Sequence, residues 1–233
     1  GALTFAIAAG SLLAGNITKL FGLIRSFNMM NLMYLIGAAI CVLSGNFPVL
    51  LAGLIITGFA SGADLPISLT VISHDAPNEK VSASLIASTQ VFWQIGVLGS
   101  YAMAFIVSHV EGAAGARMVF ALLAVLAGIA FVWRTFSKKF KEFHAAGDEY
   151  RAAEGTKTST EVSFASLFKG TDGKKYVSFF SCIIIFYVCW NLLANTFGQF
   201  QTYILVKANA SQSLATGCGI VLNIVGLICG ILF

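Results

Sequence analysis

Apolar runs of about 20 residues, separated by short polar turns, leave this chain few ways to fold. Wound as a helix, a run of that length spans the ~30 Å hydrocarbon core of a bilayer. The runs cover 1–18, 26–44, 49–73, 82–107, 118–135, 176–205 and the stretch from 214 onward. They are too long and too continuously apolar for membrane barrel strands. Lipid also offers an open backbone no hydrogen-bond partner, so each run is predicted to be a helix. Composition agrees: 58% of the residues are hydrophobic and 10% are charged, against about 25% charged in a soluble globule. The predicted fold class is an all-α membrane protein, a helical bundle of about seven transmembrane helices.

The basic residues predict orientation. Of fourteen Lys and Arg, twelve fall in the first, third and fifth connections: Lys19, Arg25, Lys80 and the nine from Arg134 to Lys175. Only Arg117 and Lys207 lie in the others. Positive charge gathers on the cytoplasmic side, so the polar stretch 136–175 is expected to be cytoplasmic, in a multi-pass protein of the cell (inner) membrane. Acids alternate with bases there, which fits a solvated loop and no nucleic-acid partner. The expected partners are the lipid bilayer and a small-molecule solute, and the protein is read as a monomer.

The chain divides into 1–135, a first helical bundle, 136–175, a linker, and 176–233, the start of a second bundle. In the linker Phe136, Phe140 and Phe143 recur at spacings of four and three among Lys138, Lys139, Lys141 and Glu142. This is the pattern of an amphipathic helix lying on the membrane surface. Glu154–Glu161 has the composition of a flexible linker. The chain begins without Met and stops within an apolar run, so it is expected to be an internal piece of a longer membrane protein.

Chemistry has few places to reside. The cysteines, Cys41, Cys182, Cys189, Cys218 and Cys229, have no C-x-x-C spacing and read as small buried hydrophobes, with neither a disulfide framework nor a metal site. No phosphate loop, H-E-x-x-H or G-x-S-x-G occurs, so an enzyme is not expected. No cofactor is expected beyond a proton or cation gradient.

Polar residues within the apolar runs are therefore informative. Thr57, Ser61, Asp64 and Ser68 recur at four, three and four, on one helix face. Gly58 and Gly62 beside them permit a close helix contact. A carboxyl at membrane depth is costly and marks a functional site, here for a proton, a cation or the solute. Pro66 frees a backbone carbonyl one turn earlier, so a structural role for the polar groups around it stays open. Gln90, Trp93 and Gln94 in the next run, and Asn191, Asn195 and Gln199 after the linker, are candidate solute-binding groups. Their amides both donate and accept, and the aromatic ring suits an apolar sugar face. Interhelical hydrogen bonding is the alternative use. His74 lies at the membrane edge beside Asp75, and is read either as a proton-responsive group or as an ordinary interfacial loop histidine.

These residues carry a resemblance. Gly58-x5-Asp64-Leu65-Pro66, followed by Ile72-Ser73 and Ala76-Pro77, resembles the fourth-helix pattern of the major facilitator superfamily, closest to its metabolite:proton symporter and sugar-porter branches. Gln90 with Gly96 resembles the fifth-helix glutamine of sugar porters, and Trp190–Tyr203 the seventh-helix segment. Gly15–Arg25 resembles the signature loop after helix two, which makes Lys19, Arg25 and His74 gating-loop positions. Lys19 and His74 stand where acids are usual, and Val81-Ser82 replaces the usual Arg-Gly. The resemblance covers helices two to about eight. It implies a secondary active transporter of a small polar metabolite (a sugar, polyol or organic acid) working by alternating access, with Asp64 as its proton-coupling acid. The altered loop charges keep open an uncoupled facilitator and a non-transporting solute receptor. The absence of an intramembrane Arg or Lys favours a neutral solute.

Overall fold

In a computed structural model of the chain, the described residues are 1–107, 110, 113–153 and 173–232. The side chains at 151, 153, 173–176, 194–197, 199 and 230–232 fall outside the description. The described chain is helical: α1 (Ala2–Phe21), α2 (Leu23–Leu43), α3 (Phe47–Asp75), α4 (Glu79–Val107), α5 (Ala113–Phe136), α6 (Lys138–Ala153), α7 (Gly173–Lys207) and α8 (Gln212–Leu232). Six are long and apolar enough to cross a membrane: α1 to α5 and, in α8, Gln212–Cys229. The segment Val177–Leu193 of α7 is a shorter apolar stretch. The all-α membrane bundle expected from the apolar runs is what forms.

Local chemistry sets the helix ends. Gly22 alone separates α1 from α2, at φ 84°, a left-handed conformation that glycine adopts without steric cost. Its N–H donates to Thr18 O, and its carbonyl accepts from the Ser26 hydroxyl at 2.7 Å. Asn46 caps α3, its Oδ1 accepting from Val49 N–H at 3.0 Å, and Pro48 follows in the first turn, where no N–H is needed. Asn78 caps α4 in the same way at 2.9 Å. The predicted polar connection 74–80 is therefore shorter than expected, because His74 and Asp75 complete the last turn of α3.

The described residues form two compact units, Gly1–Tyr150 with Asn223–Phe233, and Arg151–Leu222. In the first, α3 packs between α1 and α2, and α5 packs on α2. Its core is Ala14, Phe27, Met30, Ala63, Ile67 and Val71. A Cβ on Gly62 would run into the carbonyl of Ile7, and one on Gly58 would lie 2.8 Å from Leu3 O, so the close packing expected at these glycines is with α1. In the second unit α7 ends with the Lys207 ammonium 5.8 Å from the Tyr203 ring centroid. Ser211 then caps α8 through Leu214 N–H.

Two expectations need correction. Among the cysteines only Cys41 is buried; Cys182, Cys189, Cys218 and Cys229 face outward as free thiols. Phe136 closes α5 and is not part of the amphipathic helix, and Phe143 is exposed. The side of α6 that meets the bundle carries Phe140 and His144 instead. Glu154–Glu161 lies outside the described residues.

Gly62→Val is expected to fold in much lower yield than wild type, because the backbone of Ile7 cannot yield as a side-chain tip would. Detergent-solubilised full-length protein on a sizing column would show it; wild-type yield and retention would disprove the α1–α3 contact.

Candidate functional site

Pro66 stands in the middle of α3 without breaking it. Having no N–H, it leaves the carbonyl of Gly62 without its in-helix donor. Ser11 of α1 supplies one, its hydroxyl donating to Gly62 O at 2.8 Å. The partner of the freed carbonyl is thus a serine of the neighbouring helix, and Asp64 is left to other work.

Asp64 is ion-paired with Arg134, from the last turn of α5. Arg134 Nη1 donates to Oδ1 at 2.8 Å, and Nη2 approaches Oδ2 at 3.5 Å. Neither side chain is more than 26% exposed, so water screens the pair only partly. Three further groups hold the guanidinium. With its carboxamide oxygen turned toward Arg134, Asn31 accepts from Nη1 and Nε at 3.1 Å each. Phe27 O lies 3.5 Å from Nη1. The Phe27 ring lies beneath the guanidinium carbon, 4.0 Å from its centroid, a cation–π contact. The expectation of no intramembrane Arg is therefore overturned. Arg134 belongs to the α5 helix and not to the polar loop, and it turns back onto the acid.

The pair lies in the wall of a cavity of about 600 Å³ within the first unit. Ser11, Asn31, Tyr34, Ser61, Ser68 and Thr89 give it polar groups, and Trp93, Leu65, Leu123 and Leu126 give it apolar ones. The Ser68 hydroxyl is buried without a protein partner. The ion pair forms at the last turn of α5, and the cavity runs from it along α5 to Leu126 and Leu123 near that helix's middle.

The sequence candidates fall out unevenly. Asp64, Ser61 and Ser68 line the cavity; Thr57, predicted on the same face, is buried and donates to Gly53 O at 2.8 Å. Trp93 lines it, whereas Gln90 is exposed and Gln94 is half-buried, and neither borders the cavity. Asn191, in the second unit, donates to Tyr187 O of its own helix at 2.8 Å. The side chains of Asn195 and Gln199 are outside the described residues. Lys19 and Arg25 are exposed at either side of Gly22, and His74 is half-buried at the end of α3. The residues sequence reasoning missed are Ser11, Arg134, Tyr34 and Thr89, and the part Asn31 plays. One signal was present: an ionised acid within an apolar run calls for a cation, and Arg134 still lies within the run that ends α5.

The sequence profile described as "Sugar (and other) transporter" matches residues 1–233. The chain is 29% identical over 216 residues to the minor myo-inositol transporter IolF of Bacillus subtilis (strain 168), covering 90% of this chain and 48% of that protein. It is 27% identical over 134 residues to D-xylose-proton symporter-like 2 of Arabidopsis thaliana, covering 56% of this chain and 26% of that protein. The chain thus spans about half the length, or less, of the curated relatives it matches. No solved structure matches it significantly.

A double-mutant cycle would weigh the ion pair. Asp64→Ala and Arg134→Ala should each lower the apparent melting temperature of the full-length protein, and the double variant no more than the worse single. That outcome corresponds to a coupling of about 1–3 kcal/mol. Additive shifts would mean the two side chains do not depend on each other.

Proposed function

The chain belongs to the sugar (and other) transporter family, and from that premise we propose that the whole protein moves a small neutral sugar or polyol by alternating access, coupled to protons through Asp64. It is a multi-pass membrane transporter and not an enzyme. The relatives named for myo-inositol and for D-xylose with protons support this substrate class and this coupling.

The observation that carries the proposal is the composition of the cavity wall around Asp64. Its hydroxyls and amide both donate and accept, as the hydroxyls of a sugar require, and Trp93 offers a ring face. Among the described residues the one cation at the wall, Arg134, is already neutralised by Asp64, which suits an uncharged solute better than an anion. Neutrality, inferred from the sequence on the absence of such a cation, here rests on its pairing. Gln90, Gln94, Asn191, Asn195 and Gln199 stay in the proposal as solute-binding amides on chemical grounds. Residues 136–175 are proposed to lie in the cytoplasm, as the basic residues imply.

Coupling follows from competition. A proton and the Arg134 guanidinium contend for the same carboxylate. When the proton wins, Arg134 keeps Asn31 and the Phe27 ring and carbonyl, so its charge is not stranded. Loss of the pair loosens α3 from α5, which makes the pair a two-state element that protonation can bias.

Uptake of myo-inositol and xylose into proteoliposomes holding the full-length protein tests this, with and without an inward proton gradient. Wild type should accumulate solute under the gradient. Asp64→Asn should lose accumulation while keeping exchange of labelled for unlabelled solute. Uptake indifferent to gradient and mutation would make the protein a facilitator, binding without flux would make it a receptor, and flux of anions alone would exclude the neutral solute.

A further inference from the structure

Where α3 ends, four titratable side chains meet that the transport reading does not use. Asp75 is engaged on both oxygens: His74 Nδ1 lies 2.8 Å from Oδ1, and His144 Nδ1, from α6, lies 2.6 Å from Oδ2. His74 Nε2 in turn lies 3.2 Å from Oδ1 of Asp148, also on α6. The side chains of His74, Asp75 and His144 are at most 15% exposed, whereas Asp148 is 78% exposed. The remaining neighbours are aromatic: Phe27 of α2 meets His144 edge-on with ring centroids 6.3 Å apart, and Phe140 lies tilted at 6.1 Å. The charge α5 brings to this region, Arg134, lies on the Phe27 ring. The backbone of α6 comes directly onto the cluster because Gly147 has no side chain: a Cβ there would sit 2.8 Å from His74 O and 2.9 Å from its Nδ1.

Counting hydrogens assigns the protonation states. An ionised carboxylate only accepts, while imidazole carries one N–H when neutral and two when charged. His144 needs a hydrogen on Nδ1 alone, for Asp75; its Nε2 is buried with no partner, so a second proton there would be a stranded donor. His74 has a carboxylate oxygen at each nitrogen. Only the imidazolium gives both a hydrogen; the neutral ring turns a lone pair toward one of the two carboxylates.

We propose that His74 is a second proton-binding site, separate from Asp64, whose bound proton ties α6 to the end of α3 through Asp148. Proton binding converts neutral His74 to the imidazolium and completes the Asp75–His74–Asp148 bridge; proton loss to water breaks one of its two bonds. The second carboxylate is in place only when α6 is docked, so docking and protonation favour each other. The contribution is therefore present while His74 holds its second proton and is lost when that proton leaves. The inference does not depend on which solute is carried or on whether Asp64 couples transport.

Amide hydrogen exchange of residues 138–153 in full-length protein in lipid nanodiscs, corrected at each pH for the intrinsic rate, reads the docking of α6 directly. In wild type part of the protection present at pH 6 should be lost at pH 8. Asp148→Asn, at an exposed position that folding does not need, should hold protection at the wild-type pH 8 level throughout, and Asp148→Glu should restore the pH dependence. His74→Gln should abolish it, whereas His144→Gln should keep it. Protection independent of pH in wild type, or a dependence that survives Asp148→Asn, would overturn the proposal. So would a dependence lost with His144 but not with His74.

Discussion

An ionised carboxylate inside an apolar bundle has to be neutralised where it stands, and for Asp64 this is done by Arg134 from 70 residues further along the chain. The geometry of the first unit follows from that demand. Helix α2 packs against both α3 and α5, and the ion pair reaches past it to join those two helices. The side of α2 facing the pair carries Asn31, Met30 and Phe27, an amide and apolar groups that satisfy a guanidinium without adding charge. The cavity runs beside this bridge. Removing either charge would leave the other within the wall, which is why such a pair persists even though forming it gains little net stability.

The fold was largely legible because hydrocarbon thickness and backbone hydrogen bonding leave so few choices. The runs ending near residues 44, 107 and 135 match helices ending at Leu43, Val107 and Phe136. The capping residue Asn46 and Pro48 fall in the short gap between the second and third apolar runs. The end of α3 was less legible. His74 and Asp75 read as loop because they are polar, but their partners lie on α6, and sequence spacing gives no view of a contact 69 residues away.

The candidate site was half legible for the same reason. Asp64 announced itself by the cost of its charge, and Ser61 and Ser68 by sharing its helix face. Arg134 did not, because two residues from the polar stretch an arginine is as easily read as solvated. Gln90 and Gln94 show the converse failure. They lie one turn apart and have the right chemistry, yet the cavity is bordered instead by Thr89 and Trp93. A period of 3.6 residues says which side chains share a stripe on a helix, but not which neighbour that stripe faces.

Phe27 stands between the two polar sites, one face under the Arg134 guanidinium and an edge toward His144. Proximity of this kind is not coupling, because no hydrogen bond runs through the ring. What the arrangement does explain is why a histidine suits position 74, between the carboxylates of Asp75 and Asp148. An acid there would place a third carboxylate beside Asp75 and Asp148, and the end of α6 would be repelled. Histidine reverses the sign of that contact. His74 is thus met by α6 through Asp148, and the hold on α6 becomes one that a proton can make or break.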